Sequence, residues 1–436
     1  APFPGWTLPG VIGAGSAQFS TRFVADILAD PDLDGSTITL VDPAADHLET
    51  LRAFCESLVR QRGSKVAIEA HADRGDVLDG ADYVLTTIHV GSDDAWQADI
   101  EIARKYGVDQ SVGDTIGPGG VFRGLRNAPV LLDIVAEMEQ RCPSAVLLQY
   151  TNPMSIICRA IGRRSPVVTL GLCHSVQNTT RELAGYLDLP IDELDSWVAG
   201  INHVAWFLEL RRDGGDLYPR LREAAADPAI HDLDPVRFDV LRWFGYFVTE
   251  SSKHMSEYAP FFRKDIARLQ REGFYPFLGD EIRARSRRVF ERLERHSRDA
   301  SGFELASSDE FALQIVSALE GRGDCRINAN VPNRDLITNL PAGSCVEVPC
   351  QVDALGAHPH HIGPLPAQLA ALNRTNVNVH ELAVEGLLSG SREPIYQALM
   401  LDPLTAAVVD PDDIIAMADQ LFAAHQGRIP AAFYPS

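Results

Sequence analysis

Several features are missing from this chain of 436 residues, and each absence narrows its role. No run of roughly 18 or more apolar residues occurs, the length that a membrane-crossing helix needs, so no membrane span is expected. The opening residues Ala1, Pro2, Phe3, Pro4, Gly5 and Trp6 carry no charged stretch followed by an apolar core, so no secretory signal is expected. Basic residues are scarce: 39 Lys and Arg stand against 60 Asp and Glu, for a formal net charge of −21. A surface that acidic repels phosphate backbones and anionic lipid, which argues against nucleic-acid and membrane partners. Internal repeats, low-complexity tracts and Cys-x-x-Cys pairs are absent as well. The seven cysteines (Cys55, Cys142, Cys158, Cys173, Cys325, Cys345 and Cys350) are scattered and odd in number. In a large chain without a secretory signal this pattern predicts reduced thiols in the cytoplasm, most of them small core residues.

What is present is ample apolar material, 45% of the residues, enough to bury a large core. Length alone suggests about three domains of about 150 residues, although α/β enzymes often run longer per domain. The first part alternates strand-like and helix-like segments. A strand ends at Ile12, a helix is predicted from Ala17 to Leu28, and a strand from Ser36 to Val41. A helix from Asp46 to Gln61, strands Val66–Ala70 and Tyr83–Ile88, and a helix from Pro129 to Arg141 follow. Strands Ala145–Gln149 and Val167–Leu172 complete the pattern. Short apolar strands alternating with helices imply a parallel sheet covered on both faces, with right-handed crossovers. Pro9 and Gly10 interrupt the first strand, and a proline there removes a ladder donor. After about residue 195 the segments become longer and more mixed, and residues 376–426 are strongly helical in periodicity. The expected organisation is a Rossmann-type domain over 1–195 and an α+β domain over 196–436 that closes the site and carries oligomer contacts.

Gly13, Ala14 and Gly15 stand between the first strand and the first helix. Glycine there permits a tight turn and close approach of a pyrophosphate to the helix N-terminus, beside Ser16. Asp42 ends the next strand, where a carboxylate accepts hydrogen bonds from a ribose 2′-OH and repels a 2′-phosphate, favouring NAD. Gln18 occupies the third glycine position of the usual pattern, a departure from it. Cys173 and His174 follow another strand, at the end where ligands of such sheets bind. Asn152 stands at a further strand tip, and His203 lies in Gly200-Ile-Asn-His-Val. A thiolate and an imidazole can hold a divalent metal while leaving positions open for substrate oxygens. Alone, neither spacing is a closed metal pattern, and a buried thiol with a hydrogen-bonded core histidine fits as well. Tyr258 becomes a base only if nearby positive charge lowers its pKa, which a metal or Arg263 could supply. Asp114, Arg123 and Arg126 lie in a glycine-rich stretch that reads either as a hydroxyl-recognition loop or as a turn with a solvated charged face.

Together these motifs resemble glycoside hydrolase family four, the NAD- and manganese-dependent glycosidases, and within it the α-galactosidase branch. The resemblance is carried by Ile12-Gly-Ala-Gly-Ser16, Gly113-Asp-Thr-Ile-Gly-Pro-Gly-Gly120, Thr151-Asn-Pro153, Cys173-His-Ser-Val176, Gly200-Ile-Asn-His203 and Ser256-Glu-Tyr258. Asn328-Ala-Asn-Val-Pro-Asn333, Val346-Glu-Val-Pro-Cys350 and Gln368–Asn376 extend it over nearly the whole chain. It implies a lactate-dehydrogenase-like dinucleotide domain with a second α+β domain, and an exception to the two-carboxylate mechanism of glycosidases. In the implied scheme NAD takes hydride from C3 of the sugar, and the ketone acidifies the C2 proton. A base removes that proton, a metal stabilises the enediolate, the aglycone is eliminated, water adds to C1 and the hydride returns.

Carried over to this chain, the resemblance makes Cys173 and His203 the metal ligands and Tyr258 the C2 base. It places His174 and Asp114 with the catalytic residues. Gly13, Gly15, Ser16 and Asp42 hold NAD, while Asn152, Asn202, Arg126 and Arg263 contact the sugar. His174 stands where branches for 6-phosphosugars carry Asp or Asn, and His-Ser-Val resembles the branch for unphosphorylated α-galactosides. The two arginines would equally serve the carboxylate of an α-galacturonide or α-glucuronide, and α-glucosidase relatives are close. The expected partners are a small sugar and further copies of the chain, in a dimer or tetramer. Two readings compete. A simple NAD-dependent sugar or hydroxy-acid dehydrogenase shares the first domain but needs no metal pair. A non-catalytic NAD-binding sensor needs no C2 base.

Overall fold

The computed structural model describes residues 10–301, 303 and 311–434. Its first strand, β1 (Gly10–Ile12), has three residues and is wholly buried. Gly10 is part of the strand, and Pro9 lies outside the described residues. Five more strands follow: β2 (Thr37–Val41), β3 (Ala67–His71), β4 (Tyr83–Thr86), β5 (Val146–Gln149) and β6 (Thr169–Gly171). All six pair in parallel in the order β3-β2-β1-β4-β5-β6. That is the order of a doubly wound dinucleotide sheet, which opens a crevice at the carboxyl ends of β1 and β4, where the strand order reverses. The edge strand β3 carries Glu69 and His71 and is half-exposed, whereas β4 is buried along its length. The expected Rossmann-type sheet is present.

Helices α1 (Ala17–Ala29), α2 (Ala45–Arg62), α3 (Ser92–Lys105), α4 (Gly117–Arg141), α5 (Met154–Arg164) and α6 (Ser175–Tyr186) cover this sheet. Two differ from the sequence-based expectation. Ser92–Lys105 was not anticipated as a helix. The helix placed from Pro129 begins twelve residues earlier and carries Pro129 in its interior. Its true start is Gly117-Pro118, with proline in the first turn, where a missing N–H costs nothing. The stretch read as a glycine-rich loop is therefore mostly helix, and Arg123 and Arg126 are helical residues. Its glycines serve close packing: a Cβ on Gly120 would lie 2.2 Å from the Thr115 carbonyl carbon.

The later strands, β7 (Asp195–Ile201), β8 (Val204–Arg212), β9 (Gly215–Asp216), β10 (Cys325–Pro332), β11 (Cys345–Asp353) and β12 (Gly356–Pro359), pair antiparallel. They extend the same sheet in the order β6-β10-β11-β7-β8-β9, with β12 on β11. The joins are narrow: Asn330 opposite Gly171, and Glu347 opposite Gly200. One apolar cluster runs through both parts, from Leu148 and Ile157 to Val348 and Val384. Helix Ala367–Ser389 packs on α4 and α5, meets β8 where Asn373 bonds Trp206 and Val204, and holds the end of the helix Ser252–Tyr258 through Asn376, which donates to the Tyr258 carbonyl. Among the described residues no helix is long and apolar enough to cross a membrane.

Candidate active site

The turn after β1 is built for close approach. Gly13 has φ +90°, and a Cβ there would sit 2.5 Å from the Thr87 carbonyl oxygen, so only glycine fits. Gly13 and Ala14 donate to the Val41 carbonyl at 2.9 and 3.0 Å. The Asp42 carboxylate accepts from Gly15 N and from Ala44 N, both at 2.8 Å. Asp42 therefore folds the glycine turn onto the end of β2. Each carboxylate oxygen still has acceptor capacity for a sugar hydroxyl. Ser16 precedes α1, and its hydroxyl makes no capping bond to the helix. The turn and Ser16 lead straight into the N-terminus of α1, the end of a helix that favours anions.

Further along the same edge, three chain segments converge. Cys173 follows β6. His203 sits in the two-residue turn Asn202-His203 that joins β7 to β8, where Ile201 pairs with Val204. So tight a turn requires a left-handed residue, and His203 takes φ +65°. Glu250, just before the helix Ser252–Tyr258, takes φ +69°. Non-glycine residues held there carry strain, a feature concentrated at functional sites. The donor atoms of Cys173, His203 and Glu250 lie within 4.8 Å of one another.

The groups around this cluster form a closed ring. His203 Nε2 is 3.6 Å from Glu250 Oε2, and Glu250 Oε1 is 3.3 Å from His254 Nδ1. His254 Nε2 is 3.8 Å from Asp114 Oδ1. The Thr115 hydroxyl donates to Asp114 Oδ1 at 2.8 Å and lies 3.2 Å from His203 Nδ1. Tyr258, 3% exposed, brings its hydroxyl 3.0 Å from the same Nδ1. Asn152 donates to Asp114 Oδ2 at 3.3 Å. His174 begins α6 with its ring on Tyr150, 5.9 Å between centroids.

Electrostatics match this crowding. Burial first, and then the Glu250 charge, push the Cys173 thiol up to about 11, against the nearby dipoles of Ser175 and Asn202. Burial would also raise Asp114, but the His254, Arg123 and His203 charges prevail and hold it at about 2. Tyr258 is pushed well above a normal phenol by burial and by the Asp114 charge. Glu347, on β11 opposite Gly200, is fully buried with no hydrogen-bond partner on either oxygen. Burial and the Cys173 charge raise its pKa steeply. Asn152 Oδ1 is likewise buried without a hydrogen-bond partner, and the Ser175 hydroxyl and the Asn202 amide have the Cys173 sulfur as their neighbour. Buried polar atoms are normally satisfied, so these orphans around one cluster mark a place built for other occupants. Thiolate, imidazole and carboxylate donors beside them fit a divalent cation with open positions.

The structure separates the proposed sugar ligands. Asn152 and Asn202 are at the cluster, but Arg126 and Arg263 are corrected to internal roles. Arg126 is 1% exposed and grips Asp99 with both terminal nitrogens, at 2.9 and 2.6 Å, beside His425. Arg263 is fully buried and donates to Asp109, Ser256 and Tyr275. A guanidinium enclosed with its own carboxylate gains little by leaving it for a substrate. Arg123 is the arginine at the site: it donates to the Asn152 carbonyl and lies near Asp114. Arg126→Met is expected to cost about 3 kcal/mol of stability by leaving Asp99 short of a partner. The sugar KM should stay within about twofold; a KM effect without a fall in Tm would return Arg126 to the substrate.

Glu250 and His254 escaped the sequence reading. His254 and Tyr258, four residues apart, share one face of the helix Ser252–Tyr258, whereas Glu250 lies outside the helix and left no periodic signal. Fold and cluster together define the class: a Rossmann-type protein with a mixed thiol, imidazole and carboxylate site on the edge of its dinucleotide sheet. Residues 10–189 match the family described as Family 4 glycosyl hydrolase, and residues 198–405 match its C-terminal domain. An α-galactosidase of Bacillus subtilis (strain 168) is 40% identical over 96% of this chain and 98% of its own length. An α-galactosidase of Rhizobium meliloti (strain 1021) is 34% identical over 96% and 88%. The solved 6-phospho-α-glucosidase from gut microorganisms, in complex with NAD and Mn2+, shares the fold with a TM-score of 0.85 at 20% identity, covering 98% of this chain and 99% of that one. The chain belongs to family 4 of the glycosyl hydrolases.

Proposed function

We propose that this glycosidase cleaves unphosphorylated α-galactosides by reversible oxidation at C3 of the sugar, with NAD and a divalent metal, Mn2+, as cofactors. The carrying observation is the convergence of Cys173, His203 and Glu250 beside the Tyr258 hydroxyl. The α-galactosidase relatives support the sugar, and the Asp42 carboxylate at the glycine turn supports NAD over a 2′-phosphorylated dinucleotide. When bound, the dinucleotide would supply a hydride acceptor for C3, and the metal positive charge for neighbouring sugar oxygens.

The chain's own residues then do the following. Cys173, His203 and Glu250 would hold the cation, and Asn152 and Asn202 would offer amide groups to the sugar hydroxyls. His203 links metal and base. With its Nε2 lone pair turned to the Cys173 and Glu250 side, Nδ1 carries the proton and donates to the Tyr258 oxygen. That hydrogen bond favours the phenolate and opposes the burial that otherwise keeps Tyr258 protonated. Tyr258 takes the C2 proton. Asp114, held ionised, fixes Asn152 and Thr115, and His174 borders the site from the start of α6. We also expect the metal site to straddle the division near residue 195, with Cys173 before it and His203 and Glu250 after it, and the protein to assemble as a dimer or tetramer.

A panel of 4-nitrophenyl glycosides tests the substrate. The α-galactoside should exceed the α-glucoside and α-galacturonide by at least about tenfold in kcat/KM. A hydroxyl misplaced against a site built to bond it loses that much or more. Preference for the galacturonide would assign Arg123 to a carboxylate and replace the galactosidase reading.

A further inference from the structure

Glu257 precedes Tyr258 in the helix Ser252–Tyr258 and is 3% exposed. Its carboxylate accepts from the backbone amides of Ser111, Val112 and Gly113 at 2.7, 2.6 and 3.0 Å, and from Gln110 Nε2 at 3.2 Å. Three successive amides converging on one anion make a nest, a loop folded around a negative charge. This loop leads directly into Asp114 and Thr115. Arg263 secures its other end by bonding Asp109 while also donating to Ser256. The loop is thus pinned at two places to the segment that carries Tyr258.

We propose that Glu257 is a positioning residue that sets Tyr258 against the Asp114–Thr115 loop for proton removal. The inference rests on the reading of Tyr258 as the C2 base. The geometry explains why such a clamp matters. His203 Nδ1 faces two hydroxyls, Tyr258 at 3.0 Å and Thr115 at 3.2 Å, and the two hydroxyls arrive on different segments. A shift of a few tenths of an ångström between those segments changes which oxygen the nitrogen engages. Glu257 is the charged group that bonds the loop from the residue beside Tyr258. A glutamine there keeps one acceptor oxygen and turns an NH2 group toward backbone N–H donors, so the nest opens.

The test uses Glu257→Gln in the full chain with NAD, Mn2+ and 4-nitrophenyl α-galactoside, protiated or deuterated at C2. Expected are a kcat lower by about a hundredfold, as for a displaced reacting group, and a KM within about threefold of wild type. NAD affinity should be unchanged, and the C2-deuterium isotope effect on kcat larger, because proton removal becomes slower than the other steps. An unchanged isotope effect, with activity falling only in step with the NAD-binding fraction, overturns the proposal; so does unchanged kcat. Glu257→Asp, which keeps the charge but shortens the reach, gives the same readout should the glutamine variant not fold. Wild-type protein that exchanges no C2 proton with solvent overturns the base assignment itself. Exchange in wild type with an unaltered isotope effect in the variant overturns only the role of Glu257.

Discussion

Replacing Tyr258 with phenylalanine should lower kcat by about a thousandfold, within the range for a positioned acid or base, and abolish solvent exchange of the substrate C2 proton. The side chain is buried, so the phenyl ring keeps the packing and removes only the hydroxyl. NAD and metal binding should survive, because the glycine turn lies apart from that oxygen, and His203 Nδ1, which loses it, keeps the Thr115 hydroxyl at 3.2 Å to orient the ring. The pKa direction adds a second arm. Burial and the Asp114 charge hold the phenol well above its usual range, so without a cation it stays protonated at neutral pH. Chelating the metal should therefore stop C2 exchange as completely as the substitution does. Exchange that persists in either case assigns the base elsewhere, with His254 the next candidate because it lies between Asp114 and Glu250.

The second large effect concerns Cys173. Cys173→Ala should weaken Mn2+ binding by more than about a hundredfold, beyond what removing an outer-shell partner costs, while NAD affinity stays unchanged. Alkylation of the wild-type thiol should do the same, and a reducing agent should preserve activity. The sign of the pH dependence follows from the thiol. Burial and the Glu250 charge raise it to about 11, and the ligand is the thiolate, so binding releases a proton. Apparent metal affinity should rise about tenfold per pH unit below that value and fall as the solution is acidified. Titration of Mn2+ binding against pH reads this directly. A flat profile, or tight binding by the alanine variant, removes Cys173 from the metal.

Much of this site was legible as residue types at strand ends. The glycine turn and Asp42 announce themselves because a parallel strand must pass to a helix within a few residues. Cys173, Asn152 and His203 stood out for the same positional reason. Glu250 was hidden because its role depends on a left-handed backbone and on packing against a hairpin almost fifty residues earlier. Arg126 misled because a charged side chain near glycines suggests solvent and ligand, and Arg263 because a cation five residues from Tyr258 suggests a partner for it or for a substrate carboxylate. Asp99 and Asp109, which neutralise them, come together with them only in the folded chain. The interior Pro129 misplaced a helix start, since local propensity says break where tertiary packing allows continuation. The antiparallel strand β10 leaves no sign in the sequence that it joins the parallel sheet, because the join is a single pair, Asn330 opposite Gly171, and β11 reaches that sheet only through β10.

The most direct measurement is cleavage of 4-nitrophenyl α-galactoside in D2O with NAD at the enzyme concentration, analysing both the released galactose and the absorbance of NADH. The account predicts nitrophenol release only with NAD, Mn2+ and reductant together, deuterium at C2 of the product, and no accumulation of NADH. Release by protein stripped of dinucleotide and metal, or galactose without deuterium at C2, would contradict it.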